Sequence, residues 1–331
     1  MLIMDCTLRD GANVVGKGFD AGLTKMMIEA MIDCGITTIE MGNCLGLGAY
    51  EADNSIAPCT DEEYLRLIAP YLDRAEIGMF FGYKNVNRDN VALAKKYGLK
   101  FLRVGANAGE GSGACEGIRM VKDAGIKCRY SIMKAYVLPP EELAKEARML
   151  AGCGLDEITI MDSAGTMMPH DVAEYVKALT AVLDIPVAFH GHNNLGLSVA
   201  NALAAMEAGA TVFDSGLLGM ARSAGNCATE LLIATFQRLG YFKEVDLYRL
   251  LAFYDEKLIP AMEKYGYHVA VKPFDLILGL AGCHSSFTRL FTEIADEYGV
   301  SLYRLIVETS RIDRKAPSEE LIRRTASALR S

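Results

Sequence analysis

The chain has 331 residues, enough for one large α/β domain with an appendage or for two ordinary domains. Hydrophobic residues make up 51% of it, which excludes global disorder, and no apolar run approaches the ~18 residues that a bilayer span requires. A formal net charge of −8 with no Lys/Arg cluster excludes nucleic acid and an anionic membrane surface as expected partners.

Taken in chain order, the segments alternate between short β-branched or apolar runs and stretches of helical periodicity, the signature of parallel βα units. The opening Met1-Leu2-Ile3-Met4-Asp5 has neither the basic n-region nor the long h-region of a signal peptide, and reads instead as the first strand. Strands are expected at 2–8, 37–41, 75–80, 100–105, 127–133, 156–161, 186–190 and 211–215. Helices are expected between them at 23–34, 86–97, 113–124, 140–153, 168–183 and 197–208. Gly35, Gly98, Gly125, Gly154 and Gly209 sit where left-handed helix C-caps belong. Eight such units in the first 240 residues fit a (β/α)₈ TIM barrel. A doubly wound open sheet is the alternative, but no GxGxxG follows the first strand. From about residue 241 the rhythm changes. Segments 245–265, 273–281, 285–298, 301–309 and 317–329 all read as helices, so 241–331 is expected to be an all-helical subdomain. The nine cysteines are scattered without a CxxC pair, several of them, such as Cys34 and Cys153, read as small buried hydrophobes, and a reduced, cytoplasmic setting is expected.

In a TIM barrel the polar residues of interest collect at the C-terminal ends of the strands. Strand 7 ends in His190-Gly191-His192. Alternate strand residues share a face, so both imidazoles are expected in the barrel mouth, where a carboxylate would complete a first-row divalent metal site. Asp10, after strand 1, is the natural third ligand, because strands 1 and 7 are near neighbours in a closed barrel. Asn226 offers a neutral fourth oxygen or a loop cap. Arg9 reads either as a cation for a substrate carboxylate and developing enolate or as half of a salt bridge. Glu40 and Ser163 are further mouth residues that contact substrate, orient a ligand or cap a loop. Arg103 and Lys134 could attract an anionic substrate or make structural ion pairs. The glycines at 46–48 and 105–113 suggest top-face loops, with a phosphate cradle as one alternative.

Together "DCTLRDG" (5–11), "HGHNNLGL" (190–197) and "SAGN" (223–226) resemble the signatures of the DRE-TIM metallolyases, which include HMG-CoA lyase. Within that superfamily the likeness is to the 4-hydroxy-2-oxovalerate aldolases, and it runs on through "VKPFDLILGLAGCHSSF" (271–287) in the tail. The resemblance implies Asp10, His190 and His192 as ligands of Mn²⁺ or Mg²⁺, with Arg9 beside an enolate. It also implies a small-molecule 2-oxo acid and an aldehyde as substrates, a homodimer, and an acylating aldehyde dehydrogenase as partner of the tail. The acyl-CoA synthases of the superfamily carry "RDGEQ", whereas this chain has Arg9-Asp10-Gly11-Ala12-Asn13.

Two positions depart from the aldolase pattern. The family's catalytic histidine falls on Asn13, and its active-site tyrosine in the tail falls on His284. An amide cannot take a proton at neutral pH, whereas an imidazole titrates at about 6.5. His284 is therefore expected to replace the missing base. The sequence reads as a metal-dependent lyase that cleaves or forms a carbon–carbon bond of a 4-hydroxy-2-oxo acid. An acyl-CoA condensing enzyme or lyase of the same superfamily, or a non-catalytic regulatory barrel, are the competing readings.

Overall fold

Strands too short and apolar to stand alone must bury both faces, and a closed parallel barrel wrapped in helices does so. A computed structural model describes residues 1–52, 54–267 and 273–330. Its eight strands are β1 (Leu2–Asp5), β2 (Thr38–Met41), β3 (Glu76–Gly82), β4 (Phe101–Asn107), β5 (Lys127–Met133), β6 (Glu157–Asp162), β7 (Val187–Gly191) and β8 (Val212–Ser215). They close in sequence order, with β8 beside β1 through the pairs Leu2↔Val212 and Asp5↔Ser215. The expected (β/α)₈ barrel is present. Eight helices follow the strands: α1 (Ala21–Asp33), α2 (Asp61–Ile68), α3 (Arg88–Lys96), α4 (Cys115–Asp123), α5 (Pro140–Ala151), α6 (Pro169–Thr180), α7 (Ser198–Glu207) and α8 (Thr229–Arg238).

Helix α2 is an addition to the sequence reading. Its start is written locally, since Thr60 Oγ1 accepts from Glu63 N at 3.3 Å while Glu63 Oε2 accepts from Thr60 N at 2.8 Å. That reciprocal box satisfies two free amide groups, and Tyr64, Leu65 and Ile68 then face the barrel. Strand β1 stops at Asp5 rather than at residue 8. There Asp5 Oδ1 accepts from Thr7 N at 2.9 Å, and the amides of Arg9, Asp10 and Gly11 turn back onto the Cys6 carbonyl.

The cysteine expectation holds for Cys6, Cys34, Cys44, Cys128, Cys227 and Cys283, all buried and free. It fails for Cys153. Packing of α4 against α5 brings Cys115 and Cys153 to a Cα separation of 5.6 Å, and the two form a disulfide.

Beyond the barrel run α9 (Leu247–Phe253), a π-helical turn (Tyr254–Leu258), α10 (Ile259–Glu263), α11 (Pro273–Ala281), α12 (Thr288–Tyr298), α13 (Leu302–Ile312) and α14 (Glu319–Arg330). Leu250, Tyr254, Leu258 and Met262 belong to the barrel's apolar core. A second core is built by Leu278, Phe291, Ile294, Leu305, Ile306 and Ile322. By apolar packing the chain thus divides between Met262 and Leu278, later than residue 241. Val271 and Lys272 of the tail motif lie outside the described residues. No helix among the described residues is long and apolar enough to cross a membrane.

The second core is locked over the barrel mouth by polar and backbone contacts. Arg314 donates to the Tyr136 carbonyl at 2.7 Å, and Lys315 Nζ donates to the Ala108 carbonyl at 2.9 Å. Helix α11 approaches the loop after β7 so closely that a Cβ on Gly279 would sit 2.5 Å from Asn194 Cβ. Gly279→Ala is therefore expected to destabilise the chain by about 1–3 kcal/mol through overpacking, measured by denaturant unfolding. Wild-type stability in that variant would show that the contact relaxes freely.

Candidate active site

Three carboxylates and two guanidiniums lie buried at the top of the barrel. Arg103 on β4 is fully buried, with Nε 2.7 Å from Glu40 Oε1 and NH1 bonded to Asp214 on β8. Glu40 on β2 uses its other oxygen for Arg9 Nε at 2.8 Å. Asp214 Oδ2 also meets His190 Nδ1 at 2.9 Å. The three layer residues Glu40, Arg103 and Asp214 come from even-numbered strands, as side-chain layers in such barrels do. Burial disfavours ionised Glu40, but Arg103 and Arg9 outweigh it and hold its carboxyl below the usual range. Both oxygens of Glu40 are thus taken by arginines, which puts it beneath the mouth and not among groups that touch substrate. Arg103 is likewise a structural ion pair.

Above this layer Asp10, His190 and His192 converge, with one ligand atom from each lying within 4.8 Å of the others. Asp10 Oδ2 is 3.6 Å from His190 Nε2 and 3.8 Å from His192 Nε2. These gaps exceed a hydrogen bond and suit donors that share a cation through bonds of about 2.1 Å. The Asp214 bond at Nδ1 leaves the Nε2 lone pair of His190 facing Asp10. Burial works against charge on His190, yet Asp10 and Asp214 raise its pKa, so the field between these carboxylates favours positive charge. His192 is held at about 3, chiefly by burial, and is a neutral imidazole at pH 7. Arg9, Arg103, Asp10, Glu40 and Asp214 together leave one uncompensated negative charge when both imidazoles are neutral. A divalent cation fits that donor set and that charge. Cys6, His190 and Asp214 form a second ligand-like group on the other face of the ring, but Asp214 is already committed to Arg103.

Asn226 Nδ2 donates to Asp10 Oδ2 at 2.9 Å, while its Oδ1 is buried without a partner and available as a further oxygen donor. Its loop is fixed by Gly225 (φ +88), where a Cβ would lie 2.2 Å from the Gly219 carbonyl oxygen.

The cluster floors a cavity of about 480 Å³. Phe80, Met133 and Met161 make its apolar wall, and Ser163, Arg222 and His284 line its polar side. Arg9 NH1 reaches Asp10 Oδ1 at 3.1 Å, and its NH2 is buried and unpartnered. His284 begins the turn leading to α12, and its Nδ1 lies 2.9 Å from Ser286 Oγ, to which it donates in the tautomer that leaves the Nε2 lone pair free. Burial first, then Arg222 and Lys134, push His284 down to about 4. The ordinary imidazole value expected from sequence does not apply, because the ring sits in the cavity beside two cations. Asn13 does not take a proton. Its Nδ2 donates to the Asp10 carbonyl at 2.8 Å, and its Oδ1 accepts from Arg222 at 3.0 Å.

Ser163 Oγ accepts from Lys134 N at 2.9 Å and keeps its own proton to donate. Lys134, expected beside the substrate, turns away because its backbone is left-handed (φ +54), and its Nζ donates to the Lys315 carbonyl of the tail. The suggested phosphate cradle is filled from within, as the amides of Gly109 and Gly111 donate to Glu146. Asp214 and Arg222 are the functional side chains that sequence reasoning missed. Each stands in a motif-bearing segment, one in a strand end and the other three residues before Gly225.

A sequence-family profile described as HMGL-like matches residues 111–255. The chain is 33% identical to a 4-hydroxy-2-oxovalerate aldolase of Carboxydothermus hydrogenoformans, over 97% of this chain and 94% of that protein. It is 31% identical to one from Geobacillus genomosp. 3, over 99% and 97%. Among solved structures, the carboxyl transferase domain of Rhizobium etli pyruvate carboxylase superposes with a TM-score of 0.77 at 17% identity. That likeness covers 98% of this chain and 61% of that one and concerns the fold alone.

Asp214→Asn removes the acceptor charge that orients His190. It is expected to weaken Mn²⁺ affinity about 10–100-fold, read by calorimetry on protein shown to be folded. Unchanged affinity would detach Asp214 from the cluster.

Proposed function

The chain belongs to the family of 4-hydroxy-2-oxovalerate aldolases, and on that premise we propose that it cleaves and forms the C3–C4 bond of a 4-hydroxy-2-oxo acid. The observation that carries this reading is Arg9. Arg9 lines the cavity that also holds Asp10, His190 and His192, and one nitrogen of its guanidinium is buried without a partner. Mg²⁺ or Mn²⁺ bound by these three residues, with Asn226 Oδ1 as a further donor, would supply Lewis acidity toward the oxygens of a 2-oxo acid.

In cleavage, His284, in the tautomer whose Nδ1–H donates to Ser286 Oγ, takes the proton of the C4 hydroxyl through Nε2. The C3–C4 pair passes to the enolate, an aldehyde leaves, and Arg9 NH2 donates to the enolate oxygen. Ser163 Oγ–H is placed to donate to the substrate on the cavity's polar side. Glu40 fixes Arg9, and Asn13 positions Arg222 and the Asp10 turn. At about 4, His284 is neutral and able to accept a proton across the physiological range, and loses that ability only as pH falls through its own value. Likeness running through the tail supports a homodimer and an acylating aldehyde dehydrogenase that receives the aldehyde.

Pyruvate incubated with the protein and Mn²⁺ in D₂O is expected to exchange its methyl protons, and chelation is expected to stop the exchange. Arg9→Lys should slow exchange at least about tenfold, since an ammonium does not reproduce the planar fork. Exchange that persists in excess chelator would overturn the cation's role. His284→Ala is expected to abolish carbon–carbon cleavage between pH 6 and 8 while exchange stays measurable. Cleavage at the wild-type rate in that variant would remove His284 from the chemistry.

A further inference from the structure

The cavity holds a cation that the bond-breaking chemistry does not use. Arg222 lies half-buried on its polar side, and no carboxylate lies within 4 Å of it among the described residues. Its guanidinium donates to the neutral amide oxygen of Asn13, 3.0 Å away. A carboxylate at that position would cancel the guanidinium charge. An amide instead aims the group and leaves the charge whole, with most of its five N–H donors free. Confining such a cation in a partly dry cavity costs desolvation, which an anion entering the same cavity offsets.

Its surroundings say which part of the substrate it meets. Arg9 and the Asp10–His190–His192 cluster take the 2-oxo acid end. Asn13 carries Arg222 away from that end, since it spans from the Asp10 carbonyl to the guanidinium. Arg222 and His284 line the same polar side of the cavity, so the guanidinium lies near the base that addresses the C4 hydroxyl. Beyond C4 the substrate continues as the remainder of the aldehyde. Lys84, on the cavity rim against the Tyr83 ring, adds a second cation without a carboxylate partner among the described residues. Glu110, the other rim charge, is engaged by Asn107 and by Lys315 at 3.8 Å.

We infer that Arg222, aimed by Asn13, anchors an anionic group on the aldehyde half of the substrate, so that this site takes 4-hydroxy-2-oxo acids with a second negative charge beyond C4. The inference rests on the aldolase reading and narrows its substrate class. In condensation the enolate carbon adds to the aldehyde carbonyl carbon and the aldehyde oxygen takes a proton, so no other group leaves. A carboxylate and a phosphate ester share the required chemistry.

The test is pyruvate condensation with Mn²⁺ present, comparing kcat/KM for acetaldehyde and propanal with that for glyoxylate, succinic semialdehyde and glyceraldehyde 3-phosphate. The wild-type protein is expected to favour at least one charged aldehyde over the neutral ones by about tenfold or more. The carboxylate and phosphate arms show which anion it takes. Arg222→Gln is expected to lower the charged-to-neutral ratio at least about tenfold, and Arg222→Lys to keep part of it. Because the ratio is taken within each variant, a general loss of activity does not imitate the effect. Equal use of charged and neutral aldehydes by the wild type, or an unchanged ratio in Arg222→Gln, overturns the inference while leaving the aldolase reading intact. Absence of pyruvate methyl exchange in the wild type overturns that reading and the inference with it.

Discussion

The buried fork of Arg103 ties the site together. One side of its guanidinium holds Glu40, and through Glu40 the position of Arg9. The other side holds Asp214, and through Asp214 the tautomer and tilt of His190. Groups from β2, β4, β7, β8 and the turn after β1 are thereby registered to one planar cation. Burying so many charges is costly unless each finds partners of opposite sign, and with both imidazoles neutral the balance leaves one negative charge toward the mouth. That residual charge, more than any single side chain, marks the floor of the cavity as a cation site. A second fully buried arginine, Arg129, packs on Phe101 lower in the barrel and pairs with Glu157 and Glu76. The polar interior is therefore layered, and only its upper layer communicates with the cavity.

Much of this was legible in the sequence because it depends on local chemistry. Apolar runs between periodic helices locate all eight strands, and the spacing of His190 and His192 places both rings on one face. Depth was not legible. Glu40 and Lys134 both stand near strand ends, yet the first lies beneath the mouth, where two arginines consume it, and the second turns outward on a left-handed residue toward Lys315. Asp214 shows the converse. Between Phe213 and Ser215 it resembles an incidental strand-end acid, and its importance comes from Arg103, which is 111 residues away in sequence. The start of α2 was within reach, because Thr60 and Glu63 have capping-box spacing. The departure of His284 from ordinary imidazole behaviour was not, because it comes from its place in the cavity beside Arg222 and Lys134, both distant in sequence.

Asn13 shows how a position can keep a place in a site after losing its chemistry. Where the family resemblance puts a proton carrier, the chain has an amide that joins the Asp10 turn to Arg222. In the proposed reaction the proton is taken by His284 across the cavity, and the position of Asn13 serves geometry and charge.

The two apolar cores carry a consequence for descent. Every cation-facing residue of the site is rooted in the barrel, while His284 is borne by a segment between α11 and α12 whose neighbours pack into the second core. The cation cluster and the setting of His284 thus depend on separate apolar cores of one chain. Drift within the tail can retune the second without touching the first, provided the close approach at Gly279 survives. Lineages that share this barrel are then free to diverge around His284 while holding the Asp10–His190–His192 cluster constant.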